Sequence, residues 1–432
     1  MPQKTLLLGQ TLSFNGDPFQ EGLSAAQHEH SGAVLIDDGI IAAKGTADQL
    51  KAAHPDAVQC DYGEGLILPG FVDAHAHFPQ TAIIASWGKR LIDWLNGYTF
   101  PEEMRFGDVD YAAEIAGRYF DLTLAHGTTT TTSFCTIHPE SVDAYFSAAA
   151  ERNLCVVGGK TCMDRNAPET LTDTAQSAYD DSKALLEKWH GCARAVYAIT
   201  PRFSPTSTPD QLQALGALWA EHPDCPMQTH LSEQVEEIAW VKELFPNAKD
   251  YLDTYEAAGL IGPGALFGHA IHLTERERAR LLETDSALVH CPTSNTFIGS
   301  GLFDMDGLKS SGQNVGLATD TGGGSSFSML RTMAAAYEVA QLNGRALHPA
   351  ELIWLATTGS AKALRLDHKI GTLESGTDAD IVVLDLASSP AIAQRADHAE
   401  TIWEAVFPTI MMGDDRAIKD VRVMGQSIAI KT

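Results

Sequence analysis

Basic residues are scarce. Thirty Lys and Arg stand against 56 Asp and Glu in 432 residues, a formal net charge of −26. Such a surplus repels phosphate backbones and anionic lipid, so neither nucleic acid nor a membrane surface is an expected partner. A small neutral or cationic ligand suits it better. Cysteine is sparse too: seven residues, irregularly spaced and without a CxxC pair, which argues against a disulfide framework and against a Cys-ligated zinc ribbon. No run of about 18 apolar residues is present, so no membrane span is expected. The three-Leu run after Met1 is too short for a signal h-region. The reducing cytosol is the expected compartment. No low-complexity tract or solenoid-length repeat is visible.

What is there is ordinary globular material, with 44% hydrophobic residues, 36 Gly and 19 Pro. Both chain ends read as short strands with Gly/Asp turns (TLLLGQTLSF and AVLIDDGIIAAKG; GTLESGTDADIVVLDL and AIKDVRVMGQSIAI). Their period-two alternation predicts a composite β-sandwich domain from residues 1–67 and 368–432. Between them, residues 68–367 alternate apolar runs with amphipathic segments. Eight runs (LILPGFVDAH, GTTTTTSF, LCVVGG, ARAVYAIT, CPMQTHL, ALFGHA, ALVHCP, NVGLAT) predict an α/β fold, a (β/α)8 TIM-type barrel. One long insertion, about 78–107, carries Trp87, Trp94 and Tyr98. It reads as a lid, with a surface subdomain packed on its own aromatics as the plainer alternative.

Chemistry-bearing residues sit at the ends of these runs, where such barrels keep their sites. His75 and His77 lie at i and i+2 on the first strand, so both imidazoles share a face and can reach one ion. His230 ends CPMQTHL, His269 ends ALFGHA and Asp320 follows NVGLAT. An isolated HxH is weak evidence; four strand ends bearing metal-compatible residues are much harder to obtain by chance. His126, at a helix C-terminus, and His290, before Cys291-Pro292, read as structural. Glu233 stands just past the fifth strand. It faces the same cavity as His230 or, more blandly, is a first-turn acid behind a Ser232 N-cap.

These motifs together (ILPGFVDAHAH, HGTTTTT, THLSE, GHA, ATDTG and the C-terminal GTLESGTDADIVVLD) resemble the amidohydrolase superfamily and, within it, the guanine deaminases. The resemblance spans nearly the whole chain. It implies one catalytic metal per subunit, Zn2+ with Fe2+ as the alternative, held by His75, His77, His230 and Asp320. It implies Glu233 as proton shuttle, and places His269 at the activated water or the substrate. Asp320 doubles as a proton acceptor. The fourth run has no Lys to carry a bridging carbamate, which favours a mononuclear centre. Lys160, after the third strand, reads as a solvated or packing side chain. The resemblance also implies a homodimer.

Guanine offers adjacent acceptors at O6 and N7, a pair that a guanidinium matches. Arg202 and Phe203 end the fourth run in an Arg-Phe dipeptide similar to that of guanine deaminases, and Gln80 follows the HxH as theirs does. Gln80, Arg202, Phe203, His230 and Glu233, with Trp87 and Trp94 of the insertion, are the expected contacts of a purine base. A buried Arg202 needs an acid, and the sequence does not reveal which. Two other readings stay open: the same scaffold acting on a triazine, pterin or thio-adenosine ring, and a non-catalytic scaffold. The zinc deaminases of the other fold need a P-C-x-x-C motif, which this chain lacks.

Overall fold

The computed structural model describes residues 4–87 and 90–429. Both chain ends meet in a single seven-stranded sheet, ordered Gln426–Ser427, Ile418–Val423, Ile381–Leu384, Val58–Pro69, Thr5–Phe14, Ala26–Asp37 and Ile40–Thr46. Two facing sheets were expected, and the pairing instead runs continuously. Strand Thr5–Phe14 pairs antiparallel with Ala26–Asp37 on one side and parallel with Val58–Pro69 on the other. Its unbroken Leu run is explained by apolar cover on both faces. Leu7 packs with Val34, Ile36, Ile67, Ile381 and Val383, while Leu6 and Leu8 pack with Ala33, Leu35 and Leu50. Period-two geometry sends neighbours to opposite faces, and here each face has its own core.

Strand Val58–Pro69 leads almost directly into Phe71–His77, the first of eight parallel strands at the expected positions. Phe71–His77, Thr128–Phe134, Cys155–Gly159 and Ala195–Tyr197 form one four-stranded sheet, and Met227–Leu231, Ala265–His269, Ala287–His290 and Val315–Leu317 form another. An Ile199–Met227 bridge joins them at one seam. At the other seam Asp320 N donates to His75 O at 2.9 Å and His77 N to Thr321 O at 2.5 Å.

The intervening helices begin where the sequence supplies caps. Asp108 accepts from Asp110 N and Tyr111 N at the head of Val109–Ala125, and Thr208 caps Pro209–Glu221. Thr274 and Glu277 form a capping box on Glu275–Glu283. His126 is the C-cap of Val109–Ala125, its Nδ1 donating to Leu122 O at 2.8 Å. His290 is buried and stacked on Phe303. Two open alternatives are decided. Helix Val235–Leu244 is capped by Gln234 with Glu237, not by Ser232, whose φ of 49° lies in the left-handed region. Lys160 is 1% exposed, not solvated, because Asp173 meets its Nζ at 2.5 Å.

The insertion folds as short helical turns, Phe78–Ile83, Leu91–Trp94, Leu95–Thr99, Phe100–Glu103 and Met104–Gly107. Leu91, Trp94, Leu95 and Phe100 pack against Met163, Leu171, Phe203 and Ile298. The insertion therefore rests on loops that follow the strands, and within it Phe78 and Phe106 also pack edge to face.

Candidate active site

His75 and His77 end one strand, and their alternation on it turns both rings to the same side, with centroids 5.3 Å apart. His230 arrives from strand Met227–Leu231, and its Nε2 lies 3.1 Å from His77 Nε2. Asp320 Oδ1 is 3.5 Å from Nε2 of both His75 and His77. Gly268 makes room for this convergence, since a Cβ there would lie 2.7 Å from His75 Cε1.

The tautomers suit a cation. His230 Nδ1 stands 2.7 Å from Arg202 O, and a carbonyl only accepts, so Nδ1 carries the hydrogen and Nε2 keeps its lone pair. His75 Nε2 is buried with no hydrogen-bond partner. Burial, then the neighbouring imidazoles, hold His77 and His230 well below their usual range, which keeps them neutral. Burial alone would raise Asp320, but His75, His269 and Ser294 outweigh it and hold the carboxyl at about 2. Three imidazoles, one of them with a buried and unpartnered Nε2, and an anionic oxygen fit a divalent ion with nitrogen preference.

Asp73 positions two of these residues. Its Oδ1 accepts from Thr319 N at 2.9 Å and from His75 N at 3.4 Å, and its Oδ2 from Thr319 Oγ1 at 2.5 Å. Thr319 precedes Asp320, so one buried carboxylate sets the backbone of the first and last strands. Burial pushes Asp73 up to about 7 against the pull of those hydrogen bonds.

Glu233 and His269 stand beside the cluster. Glu233 Oε2 is 3.6 Å from His269 Nε2, which is itself 3.8 Å from Asp320 Oδ2. Ser300 Oγ donates to Glu233 Oε1 at 2.9 Å. Burial pushes Glu233 up to about 7; His269 opposes this, while Glu237 and Asp320 add to it. His269 Nδ1 lies 2.8 Å from Asn295 Oδ1, which only accepts. Burial disfavours its charge, but Glu233 and Asp320 overcome that and raise its pKa. His269, Asp320 and Ser232 all have left-handed backbones, with φ of 67°, 48° and 49°. Such conformations gather at functional sites, where surrounding packing holds them.

A cavity opens over these groups, lined also by Gln80, Leu91, Trp94, Leu95, Arg202, Phe203 and Ile298. Arg202 Nη1 donates to Glu103 Oε2 at 2.7 Å, and Gln80 Nε2 to Glu103 Oε1 at 2.9 Å. Gly322 N donates to Gln80 Oε1 at 3.3 Å. Gln80, Glu103 and Arg202 are all at most 3% exposed. Glu103, the missing acid, belongs to the insertion. Of the expected site residues, ten come together here. Trp87 does not: it is 76% exposed and outside the cavity wall, while Trp94 is 3% exposed within it. Sequence reasoning missed Glu103, Asp73, Asn295 and Ser300, each identified only by its partner across the fold.

Imidazoles and a carboxylate gathered at strand ends, beside a second carboxylate of raised pKa, define a hydrolase built around a cation site. The Amidohydrolase family matches residues 66–428, and the chain belongs to that family. A bacterial imidazolonepropionase-like composite domain matches residues 32–57 in the terminal sheet. Among curated relatives, the guanine deaminase of Escherichia coli (strain K12) is 43% identical over 410 residues, covering 95% of this chain and 93% of that protein. That of Rattus norvegicus is 35% identical, covering 84% and 82%. Of solved structures, E. coli guanine deaminase superposes with a TM-score of 0.96 at 42% identity, covering 98% and 99% of the two chains. The C. acetobutylicum guanine deaminase with guanine bound gives 0.89 at 28%, covering 99% and 100%.

Proposed function

We propose that this chain hydrolyses guanine to xanthine and ammonia. One observation carries the reading: a cavity whose floor holds the ligand set has a buried Arg202 and Gln80 in its wall, both tied to Glu103. His75, His77, His230 and Asp320 would hold one zinc ion. When bound, zinc lowers the pKa of water from 15.7 to about 7 and so supplies hydroxide at neutral pH. Everything else is the work of side chains. Arg202 donors meet the O6 and N7 acceptors of the base, and the Gln80 amide donates or accepts at ring nitrogens. Phe203 and Trp94 enclose the ring and exclude water.

Glu233 accepts one proton of the attacking water and passes it to a ring nitrogen. It then relays the remaining O–H proton of the C2 adduct to the amino group, so that C2=O forms as the C2–N bond breaks and ammonia leaves. A carboxyl with a pKa of about 7 can both take and give a proton at neutral pH. Ser300 occupies Oε1, which leaves Oε2, on the His269 side, to carry that proton. His269 donates to the oxygen that bears charge in the addition product, and Asp320 assists proton removal from the water. The finer architecture belongs to the same reading: eight strands closed as one (β/α)8 barrel over 68–367, with 1–67 and 368–432 as a second domain.

Following the loss of guanine absorbance with purified, metal-analysed protein tests the proposal. Turnover of guanine in preference to adenine, cytosine, a pterin and a triazine is expected, with about one zinc per chain. Preference for another ring would move the chain to a different substrate on the same scaffold. Absence of any tightly held transition metal would count against the whole chemistry.

A further inference from the structure

Glu103 does more than satisfy a buried cation. Resting on the guanine reading above, we propose that it makes the pocket select neutral purines over anionic ones, so that the site holds its substrate and releases its product. Arg202 is 3% exposed and Glu103 1% exposed, so the charge of one is felt by a bound ring with little help from solvent. With Glu103 at 2.7 Å, the guanidinium meets the ligand as part of a neutral pair. It offers directed N–H donors without net positive charge. The second Glu103 oxygen takes Gln80 Nε2 at 2.9 Å, so the same anion orients both residues.

Replacing the C2 amino group by a carbonyl turns guanine into xanthine, which gains a ring N–H at N3 and sets its N1–H between two carbonyls, and is therefore the more acidic base. An unpaired Arg202 would bind the xanthine anion strongly. A neutralised one does not reward that charge, and Glu103 repels it. Glu103 does not line the cavity. It is a positioning residue acting through Arg202 and Gln80.

The experiment compares the zinc-loaded wild-type enzyme with Glu103→Gln, reading kcat and KM for guanine and the inhibition constant of xanthine from below to above its ionisation. Glu103→Gln keeps shape and removes charge. Its KM for guanine is expected to rise about ten-fold or more, with a smaller change in kcat, because a charged hydrogen bond to each recognition residue is weakened. Xanthine inhibition should move the other way: the variant should bind xanthine progressively more tightly than wild type as pH rises. Glu103→Asp, which restores charge, should return xanthine inhibition toward wild type. A variant-to-wild-type inhibition ratio that stays flat with pH overturns the proposal, even if KM rises. Should Glu103→Gln fail to fold, the xanthine affinity of Glu233→Gln, in which the other cavity carboxyl no longer titrates, decides: it must weaken as the base ionises, and tightening or no change overturns the idea. A wild type that turns over no guanine would instead end the reading on which this rests.

Discussion

Glu103 spans Arg202 and Gln80, giving one carboxylate oxygen to each at 2.7 and 2.9 Å. Removing Arg202 therefore has two consequences. Arg202→Ala takes the guanidinium from the ligand and leaves Glu103 buried without its cation. The first should lower kcat/KM for guanine by about 2–4 kcal/mol. The second should destabilise the fold by about 3–5 kcal/mol, the usual result of orphaning half of a buried pair. Steady-state kinetics and urea denaturation separate the two. Unchanged guanine turnover would dismiss Arg202 as a recognition residue and leave the metal centre untouched.

Asp73 connects the first and last strands through Thr319 and His75 rather than touching the proposed ion. Asp73→Asn keeps the size but forfeits an acceptor at one of the two positions where Thr319 donates. Zinc affinity should fall about 10–100-fold, as when an outer partner of a metal ligand is lost. Competition with a chromophoric chelator measures it. Full zinc affinity in Asp73→Asn would mean that packing alone orients Asp320.

The cluster at the strand ends was legible because strand geometry repeats. A His or Asp closing a short apolar run stands at the same rim as the others, which gathers His75, His77, His230, His269 and Asp320 by position, although His290 closes such a run too and stacks on Phe303 instead. Glu103 carries no such mark. In Phe-Pro-Glu-Glu it reads as an acid at a helix start, and its partner lies 99 residues away. Only packing of the insertion onto Phe203 and Ile298 delivers it. Lys160 stayed open between solvent and packing for the same reason: Asp173, the partner that permits its burial, follows an irregular loop. At the chain ends alternation identified the strands but not their pairing, and one sheet with two covered faces leaves the same pattern as two sheets.

Trp87 and Trp94 test where the insertion touches a ligand. Both are large aromatics in one segment, but Trp87 is 76% exposed and Trp94 3% exposed in the cavity wall. Trp87→Ala should leave kcat/KM for guanine within about twofold and stability within about 0.5 kcal/mol, as for a surface site. Trp94→Ala should cost about 3–5 kcal/mol of stability through lost packing and raise KM. Equal effects on KM would show that the insertion closes further over its ligand than the cavity implies.

Glu233 offers a test that needs no substrate. Its ordinary pKa of 4.5 rises to about 7 in the fold, chiefly by burial. Below 4.5 both folded and unfolded chains hold the proton, and the group is neutral to stability. Between 4.5 and 7 the unfolded chain ionises first, so folding becomes less favourable as pH rises. About a unit above 7 the loss is complete, on the order of 3 kcal/mol. Glu233→Gln removes that burden and still accepts from Ser300. It also withdraws the charge that raises His269, which costs stability only where His269 is protonated, at low pH. Both effects push the same way. Metal-stripped Glu233→Gln should thus gain on metal-stripped wild type steadily from pH 5 to 8 in urea denaturation. A gap independent of pH would mean that Glu233 is hydrated and ionised in the fold, and too weak an acid-base pair for the proton transfers assigned to it.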